Sequence, residues 1–379
     1  TPGIHINLVA SLVAGSLTTL LIVGTPVDVG IFLLVMSVTH TFLDNIPAVF
    51  LGVAEGSEVL LPSQRMVTQG RGIHAVMLLT FGELGCLVVS IALIPLFVHV
   101  FPTLYTIVKP HTQVLLCLII VLMITRQKDA NTKFWSLFII LCSGTLGLIV
   151  LRELTLNDPL LPLLSGMFGA SGLLHSLLSR ADLPEQTRGS HSSISGHHAA
   201  ASIISGTVSG AAISLLPGLG PAQAVIAASA IMPTLPEDAF IIMTGGVNTV
   251  NMVLSLATIS SLGFARNGSL QTMLDIMTTL TAVQLTTFSA LALMAGGIAA
   301  ALTIKLTKPC SDMLRRLRYD RISIAIIILL VFLIMWRAGL VGILVFITST
   351  ALGLVTVLTG APRHMLMTAI MIPVISYGV

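Results

Sequence analysis

The sequence predicts an all-α polytopic membrane protein, with about ten to twelve membrane segments in two related halves. Only 9% of the 379 residues are Asp, Glu, Lys or Arg, against about 25% in an ordinary soluble domain. Hydrophobic residues make up 55% of the chain, and the mean hydropathy is +1.02. A soluble globule of this length would need far more charge to cover its surface, so a soluble enzyme is excluded.

The apolar residues fall into windows that predict consecutive membrane helices. A spanning helix needs about 20 apolar residues, so the shorter windows predict half-helices, re-entrant segments or spans whose ends extend further. The longest window predicts either a tilted helix or a break near Gly296 and Gly297. The windows are 6–23, 29–53, 73–101, 112–125, 133–152, 159–178, 199–216, 221–234, 239–263, 276–304, 322–336, 338–359 and 363–379.

The most polar stretch, 180–198, predicts a mobile linker between a first half at 1–179 and a second half at 199–379. Pro184 and the Ser/Gly/His run oppose a helix there. Three histidines lie in the stretch without a Cys or acidic ligand at useful spacing, so an exposed linker is favoured over a metal site. These histidines are His191, His197 and His198.

Basic residues cluster at 126–133 and at 305–321, between apolar windows. Because basic loops stay on the cytoplasmic side, the second cluster predicts a cytoplasmic loop of a multi-pass protein in the cell (cytoplasmic) membrane. A phosphate-binding role for that cluster is the alternative. With a formal net charge of only +3 in so apolar a chain, no nucleic-acid partner is expected.

Four pairs of short motifs occur in the same order in the two halves, which indicates an internal repeat. They are Pro2-Gly3 with Pro217-Gly218, Asp28 with Asp238, His40-Thr41 with Asn248-Thr249, and Gly56-Ser57 with Gly268-Ser269. A helix with Gly206 and Gly210 in the spacing of close helix packing precedes the second Pro-Gly. The repeat therefore predicts an equivalent helix before residue 1 in the native chain.

The two Pro-Gly elements predict broken helices at membrane depth. Pro removes a backbone donor and clashes with the preceding turn, while Gly accepts unusual backbone angles, so the run PGLGP at 217–221 cannot continue a helix. A helix beginning there turns its N-terminus towards a cavity and favours an anion. Two such elements in equivalent halves are typical of the inverted repeats of transporters, where they mark the substrate site. A structural kink or an extramembrane loop is the alternative.

Polar residues interrupt the window at 29–53, where His40 and Asp44 share one helix face. Ionisable residues in a span are costly and tend to face a cavity or a partner, so Asp44 with His40 predicts a site for a coupling cation or proton. Capping of the next segment by Asp44 is the alternative. Glu83 is a lone acid in its window, which predicts either proton movement or a pair with Arg71 or His74.

The matching stretch of the second half carries amides and hydroxyls at Asn248, Thr249 and Asn251. These groups are suited to a carboxylate or a Na⁺ ion, and interhelical hydrogen bonding is the alternative. The motifs GxSxG, HExxH, the Walker loop and GxGxxG after a strand are all missing from the sequence, so no enzyme is predicted. No cofactor is expected beyond Na⁺ or H⁺ as a coupling ion.

The stretch GTVSGAAISLLPGLGPAQA resembles the Gly-spaced helix and PGLGP motif of the TctA family, the large membrane subunit of the tripartite tricarboxylate transporters. TPGIHIN resembles its first-half counterpart in a shorter, archaeal-type branch. The resemblance implies a symporter that moves a carboxylate with a Na⁺ or H⁺ gradient. In bacterial members, a small membrane subunit and a periplasmic binding protein assist; a homodimer and contacts with membrane lipids are also compatible with it.

The resemblance and the polar residues together give the expected substrate site. It comprises Pro2, Gly3, His5, Asn7, Thr41, Asn45, Pro217, Gly218, Gly220, Pro221, Asn248 and Thr249. The second hypothesis is a carrier or flippase for an amphipathic anion such as a polyprenyl phosphate. It requires a basic residue in the cavity, and the sequence places no Arg or Lys well inside an apolar window near the Pro-Gly motifs. A channel or structural subunit is the third.

Overall fold

The structure is a computed structural model, which describes residues 13, 24–51, 62–127, 129–179, 184–186, 194–216, 218–220, 223–225, 228, 236–316 and 319–377. These residues form helices and connecting turns, without a strand. The helices of the first half are α1 (Pro26–Leu43), α2 (Asn45–Phe50), α3 (Pro62–Thr68), α4 (Gly72–Val108), α5 (Thr112–Thr125), α6 (Ala130–Leu148), α7 (Leu160–Leu164) and α8 (Ser171–Ser179). Those of the second half are α9 (Gly196–Leu215), α10 (Glu237–Leu262), α11 (Gly268–Met277), α12 (Ala282–Arg316), α13 (Tyr319–Leu358) and α14 (Thr368–Tyr377).

Eight stretches of the described chain are long and apolar enough to cross a membrane, which confirms the predicted all-α polytopic class. They are Pro26–Phe50, Gly72–Thr125, Ala130–Glu153, Leu160–Leu178, Gly196–Leu215, Glu237–Leu262, Ala282–Arg315 and Asp320–Leu358. The predicted windows 6–23 and 221–234 lie almost entirely outside the described residues. The total of ten to twelve segments therefore stays a prediction.

Two breaks between helices show how the predicted windows 276–304, 322–336 and 338–359 are divided into helices. The backbone of Gly339 leaves helical geometry, with φ 63° and ψ −161°, which divides α13 where the sequence separated two windows. No break occurs at Gly296 and Gly297, because α12 runs through both residues. The chain turns instead at Thr278, whose φ is 63°, between α11 and α12.

The core lies where α4, α9 and α10 pack together. A Cβ at Gly82 of α4 would overlap the carbonyl group of Ile242 in α10, so only glycine allows this approach. A Cβ at Gly206 of α9 would lie 3.1 Å from the Met243 carbonyl oxygen of α10, and one at Gly210 would overlap Val250. The close packing predicted for the two glycines of α9 is thereby confirmed. Because α4 comes from the first half and α9 and α10 from the second, the two sequence halves share one core.

Part of the predicted linker is tied to the bundle. The buried Gln186 side chain accepts a hydrogen bond from the backbone N–H of Gly72 at 2.7 Å and donates one to the Val67 carbonyl at 3.0 Å. The neighbouring Glu185 lies 3.5 Å from Arg315 at the end of α12. The helix α9 begins at Gly196, so His197 and His198 lie in its first turn, just before the predicted boundary.

The ion pair between Asp158 and Arg337 fastens the break in α13 to the start of α7. Arg337 Nε donates to Asp158 Oδ2 at 2.8 Å, and a second guanidinium N–H donates to the same oxygen. We expect Asp158→Asn to cost about 1–2 kcal/mol of stability, since a charge-assisted hydrogen bond is lost in a partly buried site.

The melting temperature in detergent measures this effect. Asp312→Asn is the matched control, because its pair with Lys308 at 3.6 Å is more exposed and contributes little. Equal melting temperatures for the two variants would contradict the structural role given to Asp158.

Candidate functional site

The second Pro-Gly motif forms a loop at the end of α9. Gly218 adopts a left-handed conformation, with φ 78°, which ends the helix. The backbone N–H of Gly220 donates to Gln223 Oε1 at 3.1 Å, so the side chain of Gln223 closes the loop. Gln223 itself is completely buried. Pro217 and Pro221 lie outside the described residues.

Arg266 holds the last turn of α9. One of its guanidinium N–H groups donates to the Leu215 carbonyl at 3.2 Å, which satisfies an oxygen that the helix end leaves free. The guanidinium also lies over the Phe264 ring, 4.5 Å from the ring centroid. Burial lowers the pKa of Arg266, an effect that Tyr105 opposes. Arg266 therefore fixes the last turn of α9, from which the Pro-Gly loop starts.

A second interruption lies beside this loop, between α13 and α14. Gly360 has a φ of 72°, Pro362 is extended, and a short 3₁₀-helix follows at Arg363–Met367. Gln223 Nε2 donates to the His364 carbonyl at 3.0 Å, which joins the two interruptions. The buried amide of Gln223 is hydrogen-bonded through both its oxygen and its nitrogen. These two hydrogen bonds hold the Pro-Gly loop against the segment that leads into α14.

The helix α14 is anchored to α6 below this junction. Thr368 Oγ1 and Ser143 Oγ are hydrogen-bonded at 2.6 Å, and both side chains are buried. Gly147 of α6 lies so close to Ala369 that a Cβ there would overlap the Ala369 carbonyl. These contacts fix the direction in which the interrupted chain leaves the loop.

A cavity of about 280 Å³ lies next to the Pro-Gly loop. Its size is near the lower end of small-molecule sites, which are about 300–1,000 Å³. Its described lining combines apolar side chains with hydroxyls and the amide of Gln223. It consists of Ile119, Ile204, Ser205, Val208, Ser209, Ala212, Ile213, Leu216, Leu219, Gln223, Ala224 and Ala228.

The polar residues predicted on α1 and α2 face two different ways. His40 and Asp44, together with Thr39, lie beside an open depression along one face of α1, and every residue that lines it belongs to α1, to the start of α2 or to the residue between them. Thr41 and Asn45 are buried on the other side. A coupling-ion site at Asp44 and His40 stays a prediction.

Thr41 and Asn45 have partners within the protein. Thr41 Oγ1 donates to the Val38 carbonyl of its own helix at 2.8 Å. Asn45 Nδ2 donates to Glu83 Oε2 at 2.8 Å, and Glu83 is only 2% exposed. Both side chains therefore support the bundle in this conformation.

The predicted partners of Glu83 are wrong. Arg71 and His74 face Asp238 at the start of α10, at 4.0 Å and 3.5 Å. Because α4 and α10 begin at the same end of the bundle, these charges meet there, about three turns from Glu83.

The polar residues of α10 are divided in a similar way. Asn248 is exposed, whereas Thr249 is fully buried and its hydroxyl has no hydrogen-bond partner within the described residues. Asn251 accepts a hydrogen bond from Ser214 of α9 at 3.2 Å, just before the Pro-Gly loop. This hydrogen bond holds the middle of α10 beside the end of α9, where the Pro-Gly loop begins.

The first Pro-Gly motif, with Pro2, Gly3, His5 and Asn7, lies outside the described residues. Within the part of the chain that is described, Asn45 is hydrogen-bonded to Glu83 of α4 and not to the second Pro-Gly loop. The site that geometry supports consists of that loop, the 3₁₀-helix beside it and the adjoining cavity.

Sequence comparison identifies the family to which this fold and loop belong. The profile of the tripartite tricarboxylate transporter TctA family matches residues 1–368. The chain belongs to the TctA family. Its relatives include the uncharacterized protein MJ1079 of Methanocaldococcus jannaschii, which is 26% identical over 390 aligned residues, covering 99% of this chain and 94% of that protein. No solved structure matches the chain.

Arg363 and His364 are the residues of this TctA chain that sequence reasoning missed. Arg363 lies at the edge of its apolar window rather than well inside it, and it precedes the residue whose carbonyl binds Gln223. The signal available in the sequence is Pro362 directly before a basic pair at the edge of an apolar window.

Proposed function

We propose that this TctA chain is a secondary active transporter for a small organic anion, a di- or tricarboxylate, in the cytoplasmic membrane. The observation that carries the proposal is the junction of two helix interruptions through Gln223. Interrupted helices offer free backbone donors to an anion at membrane depth, and they permit one part of a bundle to move against the rest. Membership of the TctA family supports the choice of a carboxylate as the substrate.

We propose that a Na⁺ or H⁺ gradient drives this transport, with Asp44 and His40 as the coupling site. Their position on an open face of α1 supports this choice, because both side chains border the same depression. A small membrane subunit and a binding protein are proposed as partners by analogy with the tripartite arrangement in the family's name.

Uptake of labelled citrate and succinate into proteoliposomes tests the proposal. Na⁺ and pH gradients are imposed separately, and we expect uptake with at least one of them to exceed uptake without a gradient. Asp44→Asn is expected to remove the gradient dependence. The absence of gradient-dependent uptake for every di- and tricarboxylate tried would overturn the proposed function.

A carrier for an amphipathic anion is the second candidate. The exposed Ile204 and Val208 line the cavity beside the loop, where they suit an apolar chain, and Arg363 belongs to the segment that Gln223 joins to that loop. Translocation of a short-chain polyprenyl phosphate in the same vesicles, without carboxylate uptake, would favour this candidate over the first.

The link between the two interruptions gives a prediction for Gln223→Leu. The change leaves the buried N–H of Gly220 and the carbonyl of His364 unpaired, at about 1–3 kcal/mol for each group. We expect uptake to fall about 10-fold or more, because the loop conformation becomes less populated by that factor.

Gln127→Leu is the matched control for this prediction. The amide of Gln127 donates only within its own turn, to the Met123 carbonyl at 2.9 Å. Wild-type uptake by Gln223→Leu would show that the loop does not need this link.

A further inference from the structure

Glu83 is an acidic side chain buried inside a membrane-spanning helix. It lies about three turns into α4, within the apolar stretch Gly72–Thr125, and only 2% of it is exposed. The preceding residue, Gly82, lies against the Ile242 carbonyl of α10. The backbone that carries Glu83 is therefore fixed where the two sequence halves cross.

Glu83 is bonded to a neutral amide rather than paired with a base. Asn45 Nδ2 donates to Glu83 Oε2 at 2.8 Å. The basic side chains that the sequence offered as partners, Arg71 and His74, face Asp238 instead. One hydrogen bond from an amide offsets only part of the cost of burying an ionised carboxylate in a membrane segment, and adding a proton removes that cost.

The helices that pack on α4 carry their charged side chains at their ends. The helix α2 has no titratable side chain within it, and those of α9 and α10 lie in the first turns. These end groups are Arg65 of α3, His197 and His198 of α9, Glu237 and Asp238 of α10, and the basic end of α12 from Lys305 onwards. The titratable groups closest to Glu83 along the chain and around Asn45 are Cys86, Asp44 and His40.

Asn45 connects the buried acid with the open face of α1. Asp44 directly precedes Asn45, and it borders the open depression on that face. Asn45 itself is buried and reaches Glu83. Two adjacent residues therefore join the open face to the buried carboxyl.

A proton suits this place better than a metal ion. Thr80, one turn before Glu83 on α4, is 1% exposed, and its hydroxyl has no hydrogen-bond partner within the described residues. A hydroxyl both donates and accepts, so it suits a carboxyl that gains and loses a proton. A hard cation requires a set of oxygen ligands, whereas Asn45 turns an N–H group towards Glu83.

We propose that Glu83 is the buried proton-binding residue of the transport cycle. A proton from water beside Asp44 adds to the Glu83 carboxylate and forms its O–H group. When Asn45 withdraws, that O–H bond breaks and the proton returns to water on the other side of the membrane. The inference rests on the proposed function, and it names H⁺ as the coupling ion, with Asp44 at the entrance.

Infrared spectroscopy of the purified full chain in detergent tests whether Glu83 holds a proton. Exposed carboxyls are ionised at about pH 8, so we expect a remaining C=O stretch from a protonated carboxyl, shifted in D₂O. Glu83→Gln should remove this band and still fold, because its amide oxygen accepts the hydrogen bond from Asn45. Glu153→Gln, the same change at an exposed acid, is the matched control and should keep the band. A band missing from the wild type, or retained in Glu83→Gln, would overturn the inference.

Uptake of citrate and succinate into proteoliposomes tests the role of that proton in transport. We expect Glu83→Gln to lower uptake driven by a pH gradient about 10-fold or more. Exchange of internal for external substrate should fall much less, because exchange requires no net release of the proton. Glu153→Gln should match the wild type in both assays.

The outcomes separate this inference from the proposed function. Wild-type uptake driven by Na⁺ alone, or an equal loss of driven uptake and exchange in Glu83→Gln, would overturn the inference and leave carboxylate transport in place. If no gradient drives uptake of any carboxylate, the proposed function fails, and the infrared band still decides whether Glu83 binds a proton.

Discussion

Gly82→Val should prevent α4 from packing on α10 and remove most of the folded protein. Any Cβ at this position would overlap the Ile242 carbonyl group, and that backbone cannot move aside as a flexible side chain would. Overpacking in a core costs about 1–3 kcal/mol and occasionally more, and a clash between two helix backbones lies at the upper end of that range. We expect a loss of about 3 kcal/mol or more, measured by thermal unfolding in detergent.

Gly297→Val is the matched control for this substitution. Gly297 lies within α12, also in the interior of a long helix, but nothing lies within 4 Å of a Cβ built there. The control therefore carries the same change in helix propensity without the clash. Similar melting temperatures for the two variants would show that α4 and α10 do not approach as closely as described.

Asn45→Leu should destabilise the bundle by about 2–3 kcal/mol, because it leaves the buried Glu83 carboxyl without its hydrogen bond. Asn45 is 8% exposed and Glu83 is 2% exposed, so water cannot easily replace the lost donor. The effect is read from the melting temperature of each variant in the same detergent.

The double variant Asn45→Leu with Glu83→Leu provides the control for that prediction. Replacing both partners by apolar groups should recover much of the stability, because no buried polar group is then left unpaired. If the two substitutions were simply additive, the Asn45–Glu83 hydrogen bond would not contribute in the way proposed.

The membrane class and most helix positions were predictable because lipid exposure requires apolar residues whatever the helices contact. The close approach at Gly206 and Gly210 was predictable too, since small residues at that spacing act through backbone proximity. The break at Gly339 coincides with a gap between two predicted windows. Each of these features is local in sequence.

The polar partners were not predictable, because they depend on which helices cross and at what height. Glu83 pairs with Asn45 rather than Arg71, because α2 begins beside Glu83, about three turns into α4, while Arg71 lies just before the start of α4. Arg363 escaped notice because its window reads as a plain apolar span. Only the three-dimensional contact between Gln223 and the His364 carbonyl brings the segment that contains Arg363 to the Pro-Gly loop.

The shared core of the two halves has a consequence for how the chain is made. Gly82 is synthesised long before Gly245, which meets α4 on the same crossing. At about 5–20 residues per second, α4 waits on the order of 10–30 s in the bilayer with its glycine face uncovered. Lipid or the insertion machinery must occupy that face until α10 emerges. The ribosome therefore passes Leu262, about a third of the way through the second half, before α4 can reach its final packing, and biogenesis of this protein includes a late docking step.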